Sequence, residues 1–250
     1  MIQLQAIAKP IELTNELIQK LTQKYIENGT AVWQKTYIKK ALGKMSFEKC
    51  CFCECRLNEE SKYLEVEHFH PKSLYPAEVL LWENLLPICG RCNKQKSDHD
   101  TKQVPIIHPV KDNPKDHLEL RNYRFYKKTP LGQKTIDVIS LNDNSQKIVD
   151  KRFQIGTAIL EQLEDLLERT NDYYKAPTIR NKNKIRSQLR NIMTEGTKES
   201  TYSATAATIL LNEASYAEIK QIFTQQNLWT DEFIELEQQV QYCVLNSEYS

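Results

Sequence analysis

Six of the seven cysteines in this 250-residue chain crowd into positions 50, 51, 53, 55, 89 and 92. Cys50 and Cys53 form one C-x2-C pair, and Cys89 and Cys92 form another. Two such pairs can give four thiolates to one tetrahedral Zn²⁺. A site filled by four protein ligands leaves no position for water or substrate, so the expected role is structural. Clustered cysteines in a reducing compartment point to a metal and not to disulfides. Cys51 and Cys55, spaced C-x3-C, are an alternative first pair. The 50/53 register is preferred because it makes two matching knuckles, and it leaves Cys51, Cys55 and Cys243 as free thiols. Gly90 suits the turn inside the second pair.

Between the pairs lies Glu65-Val66-Glu67-His68-Phe69-His70-Pro71-Lys72-Ser73. Glu67 directly precedes His68 at the end of a predicted strand. A carboxylate there can hold a hard divalent ion such as Mg²⁺, while the imidazole, with an ordinary pKa of about 6.5, can take a proton from water. Asn84 follows within Trp82-Glu83-Asn84-Leu85-Leu86-Pro87, and Asn93 is bonded to Cys92. The zinc therefore clamps the start of the element that presents Asn93. A displacement of about 1 Å at such a site can cost roughly a hundredfold in rate. Lys72, Lys94 and Lys96 are candidate phosphate contacts that would follow a nucleic-acid backbone without reading sequence. Each also reads as an ordinary solvated lysine. His70 is a candidate second site residue, with packing before Pro71 as the alternative.

These residues need elements to hold them. Apolar spacing predicts helices over 11–28 and 31–43, the second with Trp33, Tyr37, Ile38 and Leu42 on one face. Ser61 to Val66 alternates as a strand does, and 92–98 suits a short helix. Residues 105–140 read as loops with a hairpin. From about 145 the chain turns helical. Ile159, Leu160, Leu163, Leu166 and Leu167 form an apolar stripe within 157–170, and further helices are predicted over 178–194, 202–213, 215–226 and 230–245. The expected organisation is a 1–48 helical segment, a 49–110 zinc-stapled core, a 111–144 loop and hairpin extension, and a 145–250 helical region.

Composition fits a soluble globular chain, with 27% charged residues and a net charge of +1. No apolar run approaches the roughly 20 residues needed to span a bilayer, and no secretory leader is visible, so a cytoplasmic location is expected. Charge is distributed unevenly. Lys175 to Lys198 holds seven basic residues and one acid, and Glu199 to Ser250 holds eight acids and one base. Such halves can serve different partners, with protein docking expected of the acidic tail, or can simply be solvated faces.

The segments EVEHFHPKS and WENLLPICGRCNKQKSD, with the flanking CCFC pair, resemble the HNH nucleases, whose core is the ββα-metal fold. The resemblance implies an α+β chain, mostly α. It gives His68 as general base, Asn84 as brace of the hairpin loop, and Glu67 and Asn93 as ligands of a catalytic Mg²⁺ or Mn²⁺. Glu67 stands where the family more often has Asp, one methylene shorter. Pro105 to Pro109, Asp112 to Glu119, Lys134 to Asn142 and the N-terminal run with Trp33 and Ile38 are similar to one HNH subfamily. That subfamily includes the nuclease subunits of Septu-type and related retron-linked anti-phage systems, which work beside an ABC-type ATPase. His108 stands where the subfamily often has Asp. The likeness implies hydrolysis of nucleic-acid phosphodiesters, DNA before RNA, in a defence complex. The alternatives are a stand-alone restriction-type HNH enzyme and a non-catalytic zinc-bearing adaptor for nucleic acid or an ATPase. Near-zero net charge counts against a solitary DNA enzyme, which usually carries a broad basic face.

Overall fold

The computed structural model describes residues 1–59, 63–143, 145 and 147–245. Two helices come first. α1 (Asn15–Asn28) begins where the Thr14 hydroxyl accepts from the Leu17 N–H, and it ends at Gly29, whose φ of 69° is the left-handed stop that glycine allows. The predicted start at 11 is four residues early: Ile11 is 91% exposed and has no core to join. α2 (Thr36–Met45) buries Ile38, Leu42 and Met45. It begins five residues later than predicted, so Trp33 lies in the loop before it, buried all the same.

β1 (Leu64–His68) pairs antiparallel with β2 (Leu85–Cys89), placing Glu67 opposite Leu86 and His68 opposite Leu85. Ser61 and Lys62 of the predicted strand lie outside the described residues. β2 runs directly into α3 (Gly90–Lys96), which packs on both strands. Strand, strand and helix thus form a ββα arrangement, with His68 at the end of β1, Asn84 just before β2 and Asn93 on α3.

β3 (Leu118–Arg121) and β4 (Arg124–Lys127) are joined through Asn122 and Tyr123, both left-handed at φ 47° and 64°. That is the two-residue hairpin turn that suits the twist of paired strands. α4 (Pro130–Ile139) falls where loop was expected. Its signal is local: the Thr129 hydroxyl accepts from the Gly132 N–H, and Pro130 occupies the first turn, where its missing N–H costs nothing.

Gln3–Leu118 with Tyr126–Leu141 forms one compact unit, and Glu119–Phe125 with the chain from Asn142 onward forms another. The second unit is helical: α5 (Ile148–Lys175), α6 (Ile179–Glu195), α7 (Ser203–Asn212), α8 (Ala214–Gln225) and α9 (Asp231–Cys243). The last four lie within two residues of their predicted bounds. Ile159, Leu163 and Leu166 of the predicted stripe are buried, and α5 packs on α6, α7 and α8. The small residues Ala204, Ala206 and Ala207 let α7 sit at the centre of this unit. Part of the charge asymmetry cancels here. Arg186 and Arg190 of the basic stretch both pair with Glu232 of the acidic one.

Candidate active site

The two knuckles converge. Sγ atoms of Cys50, Cys53, Cys89 and Cys92 lie within 4.8 Å of one another, all four residues buried. Cys53 and Cys89 sulfurs are 3.7 Å apart. A tetrahedral ion with bonds of about 2.3 Å spaces its sulfurs by roughly 3.8 Å, so this donor set fits zinc. The first knuckle is closed by the Cys50 N–H donating to the Cys55 carbonyl and the Glu54 N–H donating to the Cys50 carbonyl. The Cys51 N–H ties it to Pro87 of β2. The second knuckle spans the end of β2 and the first turn of α3. Arg91, between its cysteines, donates to the carbonyls of Ile139 and Ser140 at the end of α4.

Alongside lies an open cavity of 610 Å³ lined by Glu65, Glu67, His68, Lys72, Asn93 and Lys94. His68 is buried, and its Nε2 lies 3.0 Å from the Val79 carbonyl. A carbonyl can only accept, so Nε2 carries the proton and Nδ1 keeps the lone pair. Trp33 meets the ring edge-on, with centroids 4.8 Å apart. Burial, with Lys72 nearby, pushes the imidazole down to about 4, so it is neutral at physiological pH.

Glu67 is also buried, and burial raises its carboxyl above the usual carboxylate range against the pull of Lys96. Lys96 Nζ lies 2.5 Å from Glu67 Oε1, off the hydrogen-bonding direction, and donates to the His68 carbonyl at 3.1 Å. The sequence placed Lys96 among the phosphate contacts. Its ammonium instead turns inward, because α3 packs its inner face against a buried carboxylate. Lys72, half-buried with its ammonium 5.1 Å from the Trp33 ring centroid, and exposed Lys94 do line the cavity.

Asn93 Nδ2 donates to Glu65 Oε2 at 2.6 Å. Glu65 lines the site although the motif reading passed over it. The signal was present: residues two apart on a strand share a face, and Glu65 stands two before Glu67. Gly90 also lies beside the Glu65 carboxylate. A Cβ there would lie 2.9 Å from Glu65 Oε1. Glu67, whose Oε1 faces the Lys96 ammonium, lines the same cavity as the Asn93 amide and the Glu65 carboxylate. This set of hard oxygen donors fits Mg²⁺ or Mn²⁺.

Asn84 is buried in the connection between the strands. Its Oδ1 accepts from the His70 N–H at 2.7 Å, and its Nδ2 donates to the carbonyls of His70 and Glu78 at 3.1 and 3.3 Å. His70 is outside the cavity lining. Its Nδ1 is 2.7 Å from the Thr101 hydroxyl, which itself donates to the Phe69 carbonyl. His108 Nδ1 accepts from the N–H groups of Val110 and Lys111 at 3.2 and 3.3 Å, and its ring packs on Phe69. An Asp at that position could accept in the same way.

The HNH endonuclease family matches residues 50–99, from the first knuckle through α3. The Septu protein PtuB of Bacillus thuringiensis is 43% identical over 234 residues, covering 93% of this chain and 90% of that protein. The chain belongs to the PtuB family of HNH proteins. Septu protein PtuB of Bacillus mycoides (strain KBAB4) is 28% identical over 155 residues, 49% of this chain and 52% of that protein. No solved structure matches the chain. No helix among the described residues is long and apolar enough to cross a membrane.

Proposed function

We propose that the chain is a metal-dependent endonuclease that hydrolyses phosphodiester bonds, DNA before RNA, as the nuclease of a Septu-type anti-phage system acting in the cytoplasm with an ATPase partner. One observation carries the catalytic part. A single cavity gathers an imidazole with its tautomer fixed, a buried carboxylate and an asparagine amide, beside a four-cysteine cluster. Similarity to the two Septu proteins supports the defence setting, and the net charge of +1 supports a nuclease that relies on a partner for much of its grip on nucleic acid.

Glu67 and Asn93 would hold a divalent cation, which supplies charge neutralisation at the scissile phosphate and the leaving 3′ oxygen. His68 does the proton chemistry. With Nε2–H held by Val79, Nδ1 accepts the proton of the attacking water, and the Trp33 edge keeps the ring from turning. Lys96 holds both the Glu67 carboxylate and the His68 carbonyl, so acid and base move as one piece. Lys72 and Lys94 flank the cavity as phosphate contacts. Asn84 fixes the chain just after the base by pairing with both backbone groups of His70. Zinc at the four cysteines takes no part in the reaction and sets the position of Asn93.

The test is nicking of supercoiled plasmid in Mg²⁺ or Mn²⁺, with the ATPase partner supplied. His68→Ala with full zinc content should lose cleavage by at least a hundredfold, within the range a general base contributes. Cleavage at the wild-type rate by that variant would overturn the assignment.

A further inference from the structure

We propose that Glu65 is a positioning residue that fixes the Asn93 side-chain amide, so that its oxygen and not its nitrogen faces the divalent cation. The inference rests on the nuclease reading for the presence of that cation. An asparagine amide is nearly symmetric in shape and opposite in chemistry at its two ends. Rotated by half a turn about its last bond, it would offer a cation two N–H hydrogens. The structure settles which end is which. A carboxylate only accepts, so the Asn93 atom 2.6 Å from Glu65 Oε2 must be the NH2. The amide oxygen is then the end that Glu65 leaves free, and Asn93 lines the same cavity as Glu67.

The surroundings keep Glu65 in that place. It sits on β1 opposite Ile88, two residues from Glu67 and on the same strand face. One strand face thus supplies a ligand and the group that orients the second ligand. The helix side is shaped for the carboxylate as well. Gly90 lies three residues before Asn93, on the same side of α3, and a Cβ there would meet Glu65 Oε1 at 2.9 Å. The Glu65 carboxylate reaches beside Gly90, and a Cβ there would make its flexible end shift.

Calorimetric titration of Mn²⁺ into the full-length zinc-loaded chain tests this. Glu65→Gln keeps an acceptor for the Asn93 NH2 and should bind Mn²⁺ within about threefold of wild type. Glu65→Ala should weaken binding about tenfold to a hundredfold, the usual effect of losing a ligand's orienting partner. The double variant Glu65→Ala/Asn93→Ala should be no weaker than Asn93→Ala alone, because both act through one oxygen. Gly90→Ala, which pushes the carboxylate away without removing it, should weaken Mn²⁺ binding too, and it carries the test if Glu65→Ala loses its zinc. Three results would overturn the proposal: wild-type affinity in Glu65→Ala and Gly90→Ala; equal losses in Glu65→Gln and Glu65→Ala, which make the charge itself the ligand; or fully additive losses. A wild-type chain that takes up no Mn²⁺ overturns it as well. Failure of the nuclease reading looks different: coupled Mn²⁺ binding with no plasmid cleavage by the wild type.

Discussion

Lys96→Met keeps the length of the side chain and removes its charge. A lysine on a short helix is usually solvated, and its loss then shifts stability by less than about 0.5 kcal/mol. Lys96 is only 1% exposed, with its ammonium 2.5 Å from a carboxylate that is 4% exposed. Taking one partner from a buried pair leaves an uncompensated charge and costs about 3–5 kcal/mol. The unit that holds it has roughly 130 residues. For a domain near that size each kcal/mol moves the melting temperature by roughly 3 °C, so the variant should melt about 10–15 °C lower. Adding Glu67→Gln removes the stranded charge and should recover most of that loss, because a neutral pair of similar volume is tolerated where half an ion pair is not. The assay is thermal unfolding of the two variants and wild type, all zinc-loaded. A shift below 3 °C in Lys96→Met, or a second substitution that lowers the melt further, would refute the buried-pair account.

Removing zinc with a chelator, or Cys92→Ser, should abolish plasmid cleavage and lower protection from proteolysis around 50–96, whereas Cys243→Ser should leave bound zinc unchanged by elemental analysis. The His108 imidazole is pushed down to about 4 by burial and by Lys111. The unfolded chain takes up that proton near 6.5 while the folded one resists until about 4, so stability is complete above 6.5 and declines as pH falls between the two. His108→Asn retains an acceptor that does not titrate and should flatten denaturant-measured stability across that window by up to about 3 kcal/mol. Gly132→Ala places a Cβ 2.0 Å from the His117 carbonyl oxygen and should destabilise the unit by more than about 2 kcal/mol in urea unfolding.

Local spacing was enough to find the knuckles, since two C-x2-C pairs leave few ways to make four converging thiolates, and the C-terminal helices follow their apolar periodicity to within two residues. What sequence missed depends on contacts between distant segments. The orienting partner of His68 is the Val79 carbonyl, and every residue has a carbonyl. Trp33 was expected on a helix face, yet it sits in the loop before α2 and reaches His68, 35 positions away. Lys96 looks like any helix lysine until β1 brings Glu67 beneath it. α4 was different: the Thr129-Pro130 start was legible, but the polar stretch around it drew the reading towards loop.

Arg91 stands between Cys89 and Cys92 in the chain and donates to the last carbonyls of a helix nearly fifty residues downstream. With zinc at the four cysteines, as proposed, that link would tie α4 to the ion's occupancy. Amide hydrogens of α4 after Pro130 should exchange in step with those of the knuckles and speed up together when the metal leaves. A segment that could pass for an insertion after the ββα core would thereby belong to the same cooperative folding unit.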